Sequence, residues 1–494
     1  MSVLSTPGYQ LQPSAQQVAL STNYITDFNF LNQYLPDTYE KEFERYGNRT
    51  VSSFLRMVGA EMPSNSDLIK WAEQGRLHVK YTNCTTTVLT NADTATFTIN
   101  DTLDPNRATI GLTAGAIAIR KGQTIMVTPN VGPTGTVTQN KAIVTAVDTA
   151  AGTINVAFYE ASGITNGNAG NTFTIFVYGS EFKKGSNGME GSLEANDEIF
   201  ENNPIILKDK YSVSGSDMAQ IGWVEVTTEN GATGYLWYLK SEHETRLRFE
   251  DYLETAMIEA VPAEAGSGAA ANANYGNKGS EGVFYAVNSR GNVFGGGTPE
   301  TLADFDNIIK RLDKQGAIEE NVLFLNRDAS FAIDDMLAEL NGAAQTSANG
   351  TSYGLFDNDM NMALNLGFSG FRRGYDFYKT DWKYLNDPTM RGDLYNGGAG
   401  WAGANTANVV NGMLVPAGST TVYDQIMGKN AKRPFLHVRY RASETEDRRY
   451  KTWITGSAGG AATSDLDAME VNFLSERCVC TLGANNFFLF RYGA

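Results

Sequence analysis

The sequence predicts an α+β protein of several domains, with a small all-β domain inserted ahead of the main body. Three observations predict it. Composition changes abruptly between Asn83 and Ser180, a long helical stripe runs from Tyr235 to about Ile258, and the residues after Phe435 read mostly as strands. The length of 494 residues is room for about two to four domains. With 42% hydrophobic and 19% charged residues the chain is globular and not disordered. Its 50 Gly, 23 Tyr and 25 Phe suggest many turns joining aromatic-rich strands.

Residues 1–35 are rich in Gln, Asn, Ser and Tyr and carry Pro7 and Pro13. They read as an extended arm with no core of its own, expected to be held by a neighbouring subunit. Short helices are expected over Pro36–Tyr46 and Arg49–Val58, and a third from the cap formers Ser64-Asn65-Ser66 to Gly75.

The stretch Asn83–Ser180 holds only nine charged residues but 21 Thr. Short β-like runs recur between turn signals: Thr94–Ile99, Ile117–Ile119, Thr124–Thr128, Ala142–Val147, Thr153–Phe158 and Thr172–Tyr178. That pattern predicts a self-contained small barrel or sandwich. A Gly-rich acidic link, Gly185–Asn203, follows.

Pro204–Ser214 and Ala219–Thr228 read as a long β-hairpin turning at Gly215-Ser216-Asp217. On its first strand Ile205, Leu207, Tyr211 and Val213 share one face, and Lys208, Lys210 and Ser212 the other. With few partners expected in its own chain, that hairpin should bury its apolar face on neighbouring copies. Ile205, Leu207, Tyr211, Val213 and Trp223 are the candidate inter-subunit contacts.

The helix from Tyr235 carries Phe249, Tyr252, Leu253, Ala256 and Met257 at helical spacing, with Glu242–Arg246 and Glu244–Arg248 as i, i+4 pairs. Pro262 and Gly266–Asn274 end it. A mixed α/β region comes next. Thr298-Pro299 opens a helix burying Leu302, Phe305, Ile308, Ile309 and Leu312, and Val322–Leu325 is a buried strand. A further helix with Ile333, Met336, Leu337 and Leu340 is expected to stop at Gly342, and Gly392–Gly412 to form a loop. The strands expected at the C-terminus are Phe435–Tyr440, Tyr450–Thr455, Met469–Leu474, Arg477–Leu482 and Asn486–Tyr492.

A net charge of −16 argues against a surface that grips nucleic acid broadly, because duplex DNA is itself a dense anion. The three cysteines, Cys84, Cys478 and Cys480, make no disulfide framework and suit a reducing cytosol. Met1-Ser2-Val3-Leu4-Ser5 has neither a basic start nor an apolar run, so no leader is expected, and no apolar stretch of about 18 residues predicts a membrane span.

The search for chemistry returns little. His78, His243 and His437 lie far apart, none one helical turn from another His or Cys, and Cys478-x-Cys480 lacks zinc-site spacing. Asp357-x-Asp359-x-Asn361 resembles the start of a calcium loop, but Met362 stands where Gly is needed and Phe368 where the bidentate Glu is needed. No phosphate loop and no nucleophile elbow is present, and Gly266-x-Gly268-x-x-Ala271 follows no clear strand. Arg391-Gly392-Asp393, a short adhesion tripeptide, is the kind of match that chance supplies, and the sequons at Asn48 and Asn83 carry no weight without a secretion signal. No catalytic residue, cofactor or metal is expected, and the chain is read as a structural protein and not an enzyme.

The order arm, hairpin, rod helix, α/β region and terminal strands resembles the Hong Kong 97-type capsid fold of tailed bacteriophages. Two segments, Glu201-Asn202-Asn203-Pro204-Ile205-Ile206-Leu207-Lys208-Asp209-Lys210-Tyr211 and Gly234-Tyr235-Leu236-Trp237-Tyr238-Leu239-Lys240, are similar in wording to the major capsid proteins of crAss-like gut phages. The resemblance covers about 1–77 and 183–494 and implies an N-terminal arm with short helices over 1–77 and an extended hairpin loop over 183–234; the Thr-rich β insertion over 78–182, read from composition, departs from it. The resemblance further implies a spine helix and peripheral domain over 235–297, an axial domain over 298–430, and C-terminal strands returning to the peripheral domain over 431–494.

The function so implied is that of a major capsid protein, self-assembling as hexamers and pentamers into an icosahedral head. The shell encloses double-stranded DNA without binding it specifically, and it is built in the host cytoplasm and carried in the virion. Its implied partners are further copies of itself, a separate scaffolding protein, a portal and decoration proteins. Some members of that family cross-link Lys to Asn between subunits. Lys208 and Lys210 lie on the hairpin, but no partner Asn or activating Glu stands out. Two readings from other classes stay open: another virion part such as a tail or fibre component, and a carbohydrate-binding or hydrolytic module. Fibres tend to show repeats, and none is evident.

Overall fold

A computed structural model of the chain describes residues 60–74, 78, 80–87, 92–100, 117–130, 139–161, 163–164, 172–191, 197–220, 225–227, 233–271, 276–346, 370–392, 409–417, 419–424, 429–458 and 462–491. The arm, the first two short helices, Trp223 and the segment 357–361 lie outside the described residues. The chain divides into two compact units. Among the described residues, Leu207–Thr255 and Tyr450–Ser475 make the first, and the rest make the second.

In the second unit the chain begins with strands β1 (Ala60–Ser64) and β2 (Ile69–Gln74). The helix expected to reach Gly75 does not form. Burial alternates along β2, with Ile69 buried and Lys70 exposed, and β2 pairs antiparallel with β9 (Asp197–Asn202), Trp71 lying 6.2 Å from Phe200 between ring centroids. The long-range ladder outweighs the local cap signals, as tertiary context does whenever propensity is weak.

Between β2 and β9 lies a closed six-stranded barrel, order β3-β4-β7-β6-β5-β8. Its strands are β3 (Lys80–Thr86), β4 (Thr94–Ile99), β5 (Gln123–Pro129), β6 (Asn140–Asp148), β7 (Thr153–Phe158) and β8 (Phe173–Ser180). The alternating β-branched residues put Ile125, Val127, Ile154, Val156 and Ile175 inside, around an edge-to-face pair of Phe97 and Phe173 at 5.5 Å. Burying each such side chain contributes about 1.5–3 kcal/mol. Ile117 and Ile119 are buried in this core without forming the expected strand. Arg120 Nη1 donates to both of their carbonyls (2.8 and 3.2 Å), in place of a ladder. First and last strands, β3 and β8, are neighbours, so the barrel's two chain ends lie side by side.

In the first unit, strand β10 (Ile205–Ser214) leads into a short helix α1 (Gly215–Gln220). Among the described residues the expected hairpin turn at Gly215-Ser216-Asp217 is not formed. Ser214 Oγ accepts from the Asp217 N–H (3.1 Å), so residues read as a turn form a helix start. A Cβ at Gly215 would lie 2.0 Å from an Asp467 carboxylate oxygen, so that exposed side chain would have to swing aside. Instead, β11 (Glu225–Thr227) pairs antiparallel with β12 (Thr233–Tyr235). Helix α2 (Leu236–Glu259) follows, 24 residues and roughly 36 Å long. Phe249 and Leu253 bury its expected stripe against Met469, Val471 and Phe473, while Tyr252 turns to solvent. Arg248 reaches Asp209 of β10 (3.1 Å).

The α/β body of the second unit contains α3 (Gly268–Ala271), α4 (Val283–Arg290), β13 (Asn292–Phe294), α5 (Leu302–Gln315), β14 (Glu320–Leu325) and α6 (Arg327–Thr346). It continues with β15 (Gly370–Arg373), β16 (Tyr375–Asp381), α7 (Lys383–Asn386) and β17 (Val410–Pro416). Helix α5 is set by a reciprocal capping box, Thr301 with Asp304, and stops at Gly316 in the left-handed conformation. Its Phe305, Ile308 and Leu312 are buried as expected. Helix α6 runs past Gly342, and β17 occupies the last part of the expected Gly392–Gly412 loop, buried at every position.

The remaining strands are β18 (Ser419–Asp424), β19 (Lys429–Pro434), β20 (Leu436–Arg441), β21 (Lys451–Gly456), β22 (Ala468–Thr481) and β23 (Phe488–Arg491). The two strands expected over 469–482 are one continuous β22. Its residues 469–474 pair with β21, and residues 477–481 pair with β20, whose other side takes β1 in parallel. The last strand, β23, enters a six-stranded sheet of the α/β body, order β13-β23-β17-β14-β16-β15.

Candidate assembly surface

Strand β10 has the alternation its sequence predicts. Ile205, Leu207, Asp209 and Tyr211 are half-buried, Val213 is buried, and Ile206, Lys208, Lys210, Ser212 and Ser214 are exposed. Two residues of the apolar face expected to meet neighbouring copies touch their own chain. Leu207 and Tyr211 pack against the cluster of Phe249, Leu253, Met469, Val471 and Phe473, and burial pushes the Tyr211 phenol up. Local pattern shows which residues share a face but not what covers it: Leu207 and Tyr211 join that cluster, Val213 is buried and Ile205 is half-buried. Trp223 is outside the described residues.

The outward face of β10 is therefore the accessible one. Lys210 Nζ donates to Glu470 (2.8 Å), and that hydrogen bond is the main cause of a Glu470 carboxyl held below its ordinary range. Lys208 is exposed and makes no ion pair among the described residues. Ile206, 52% exposed, sits among these lysines, and elsewhere Ile199 (66%), Tyr252 (46%) and Ile454 (46%) also face solvent. Sequence reasoning missed Ile206. The signal was available, because an apolar residue in register with Lys208 and Lys210 breaks an otherwise polar face.

The residues weighed for chemistry have structural settings. Cys478 and Cys480 share a face of β22 beside Ile69 and Trp71, and all three cysteines are buried free thiols. A hydrogen bond between Cys478 and Cys480 raises the first thiol, assisted by burial, and lowers the second, with His437 of β20 assisting. His437 pairs in register with Cys480, a proximity that sequence distance hid. His243 is exposed on α2. Among the described residues no three His, Cys, Asp or Glu side chains group as metal ligands. Of the tripeptide at 391–393, Arg391 donates to the Glu259 carboxylate, which also accepts from Tyr384 (2.7 Å). Burial first, and then Glu259, push the Tyr384 phenol up. No helix among the described residues is long and apolar enough to cross a membrane.

No family model matches the chain, and no curated protein matches it. Solved structures do. One from Microbacterium phage Oxtober96 aligns over 94% of this chain and 100% of its own, at 8% identity and a TM-score of 0.39. The capsid structure of the cyanophage P-SCSP1u aligns over 64% of this chain and 80% of its own (9% identity, TM-score 0.32). The mature capsid of bacteriophage PhiM1 aligns over 63% and 78% (10%, 0.32).

Proposed function

We propose that this chain is the major capsid protein of a tailed bacteriophage, assembling with further copies of itself into the closed shell of the head. The observation that carries the reading is the order and length of its elements. An edge strand, β10, lies down on a 24-residue helix, α2; an α/β body with a six-stranded sheet follows, and a 14-residue strand, β22, comes back to pair with β10. The rod helix, the α/β body and the terminal strands support the Hong Kong 97-type reading, while the arm lies outside the described residues and the expected hairpin is not formed among them; the two segments similar to crAss-like capsid proteins fall on β9–β10 and on β12 with the start of α2.

In this reading the chains meet as hexamers and pentamers, and the acidic surface lets enclosed DNA lie against the wall without adhering. A separate scaffold, a portal and decoration proteins complete the head, which is carried in the virion. Negative-stain microscopy of the chain expressed in bacteria tests it. Closed shells of uniform diameter are expected. Filaments would point to a tail or fibre component, and monodisperse particles at every concentration would set the shell reading aside.

A further inference from the structure

The barrel surface carries an open groove of about 470 Å³ across the ends of four consecutive strands, β7, β6, β5 and β8. Its volume is in the range of small-ligand sites. Nine charged residues occur in the whole stretch 83–180, and two of them, Lys141 and Glu160, line this one groove, with Glu181 just beyond the stretch beside them. Two tyrosines, Tyr159 and Tyr178, also line it while half exposed, although exposed rings are costly unless something covers them. We propose that this groove is a binding site for a neutral saccharide.

The chemistry argues for that class. Pyranose rings present an apolar C–H face that packs on an aromatic ring, and an edge of hydroxyls that need acceptors and donors. The groove supplies both. Tyr159 is held in place by donating its hydroxyl to Glu181, so one ring is fixed before any ligand arrives. The Glu160 carboxylate accepts a long hydrogen bond from the Lys141 main-chain N–H (3.3 Å), and each carboxylate keeps further lone pairs for sugar hydroxyls. An anionic ligand would face two carboxylates against one lysine. A cationic ligand would compete with Lys141, whose Nζ already stands 5.9 Å from the Tyr178 ring centroid.

Saturation-transfer NMR on the full chain tests the assignment, with chitotetraose, cellotetraose and mannotetraose as separate probes and tetramethylammonium as the cationic control. It needs no shell formation, so its outcome is independent of the capsid reading. Transfer to at least one of the three saccharides is expected. Tyr178→Ala should weaken that binding about five- to tenfold, and Glu160→Gln should weaken it without disturbing the barrel, as thermal melts would check. Lys141→Met, at an exposed position, serves if Tyr178→Ala unfolds, and should also weaken binding. Absence of transfer to all three saccharides overturns the proposal. So does binding that all these variants leave unchanged, or binding of tetramethylammonium alone.

Discussion

Asn202 holds the main chain of Glu281 at both ends of its side-chain amide. Its Nδ2 donates to the Glu281 carbonyl (2.9 Å), and its Oδ1 accepts from the Glu281 N–H (2.7 Å). The same buried amide donates to the Val479 carbonyl and accepts from Ser280. The last residue of β9 thus satisfies polar groups from two distant parts of the chain. Asn202→Leu leaves several of them buried without partners, at about 1–3 kcal/mol each. Urea denaturation should show a loss of about 3 kcal/mol or more; a loss under 1 kcal/mol would mean that water takes over the role.

The two faces of β10 should respond differently to charge. Val213→Asp places a carboxylate against the core and should abolish folding of the first unit. Ile206→Asp should change stability by no more than about 0.5 kcal/mol while reducing the yield of closed shells. Thermal melts and microscopy on the same preparations separate the two effects. Normal shells from Ile206→Asp would remove the outward face of β10 from the assembly surface.

Phe249 is fully buried, with Tyr450 at 5.5 Å and Phe473 at 5.8 Å between ring centroids. Phe249→Ala should cost about 3–5 kcal/mol, the range for emptying an aromatic core position. Chemical denaturation gives the value directly, and a cost near zero would mean that α2 does not dock through this ring.

The Lys210–Glu470 pair makes a prediction with a definite sign. Glu470 has its folded pKa lowered, first by the Lys210 hydrogen bond. Its stabilisation is therefore present above the ordinary carboxylate pKa of about 4.3 and is lost as pH falls through the lowered folded value. Wild type should exceed Lys210→Met in stability at pH 7, and the gap should close towards pH 3 in urea denaturation. A gap constant across that interval would assign the difference to packing of the lysine stem.

The barrel has its own core and neighbouring chain ends, and the strands flanking it, β2 and β9, pair with each other. Residues 78–182 expressed alone should give a β-rich circular dichroism spectrum and a cooperative melt. An unfolded product would mean that β3 or β8 depends on contacts outside that range.

Much of this fold was legible in the residues because it is written in local period. The strands β4, β5, β6, β7 and β8 follow β-branched alternation between turns, helix α2 follows an i, i+4 stripe, and α5 carries its cap and its stop. The shared face of Ile205, Leu207, Tyr211 and Val213 belongs to the same class, since side chains in a strand alternate whatever they meet. What covers that face is a different kind of fact. Phe249 and Phe473 are distant in sequence from β10, and only the assembled chain brings them to it. Long-range pairing likewise made β2 a strand despite its cap formers, while a local cap, Ser214 Oγ on the Asp217 N–H, starts a helix where a hairpin turn was expected. Long-range pairing set Cys480 beside His437, and it gathered Lys141, Tyr159, Tyr178 and Glu181 into one groove from three parts of the barrel. Periodicity states which side chains point together, and the free energy of burial over the whole chain decides what they point at.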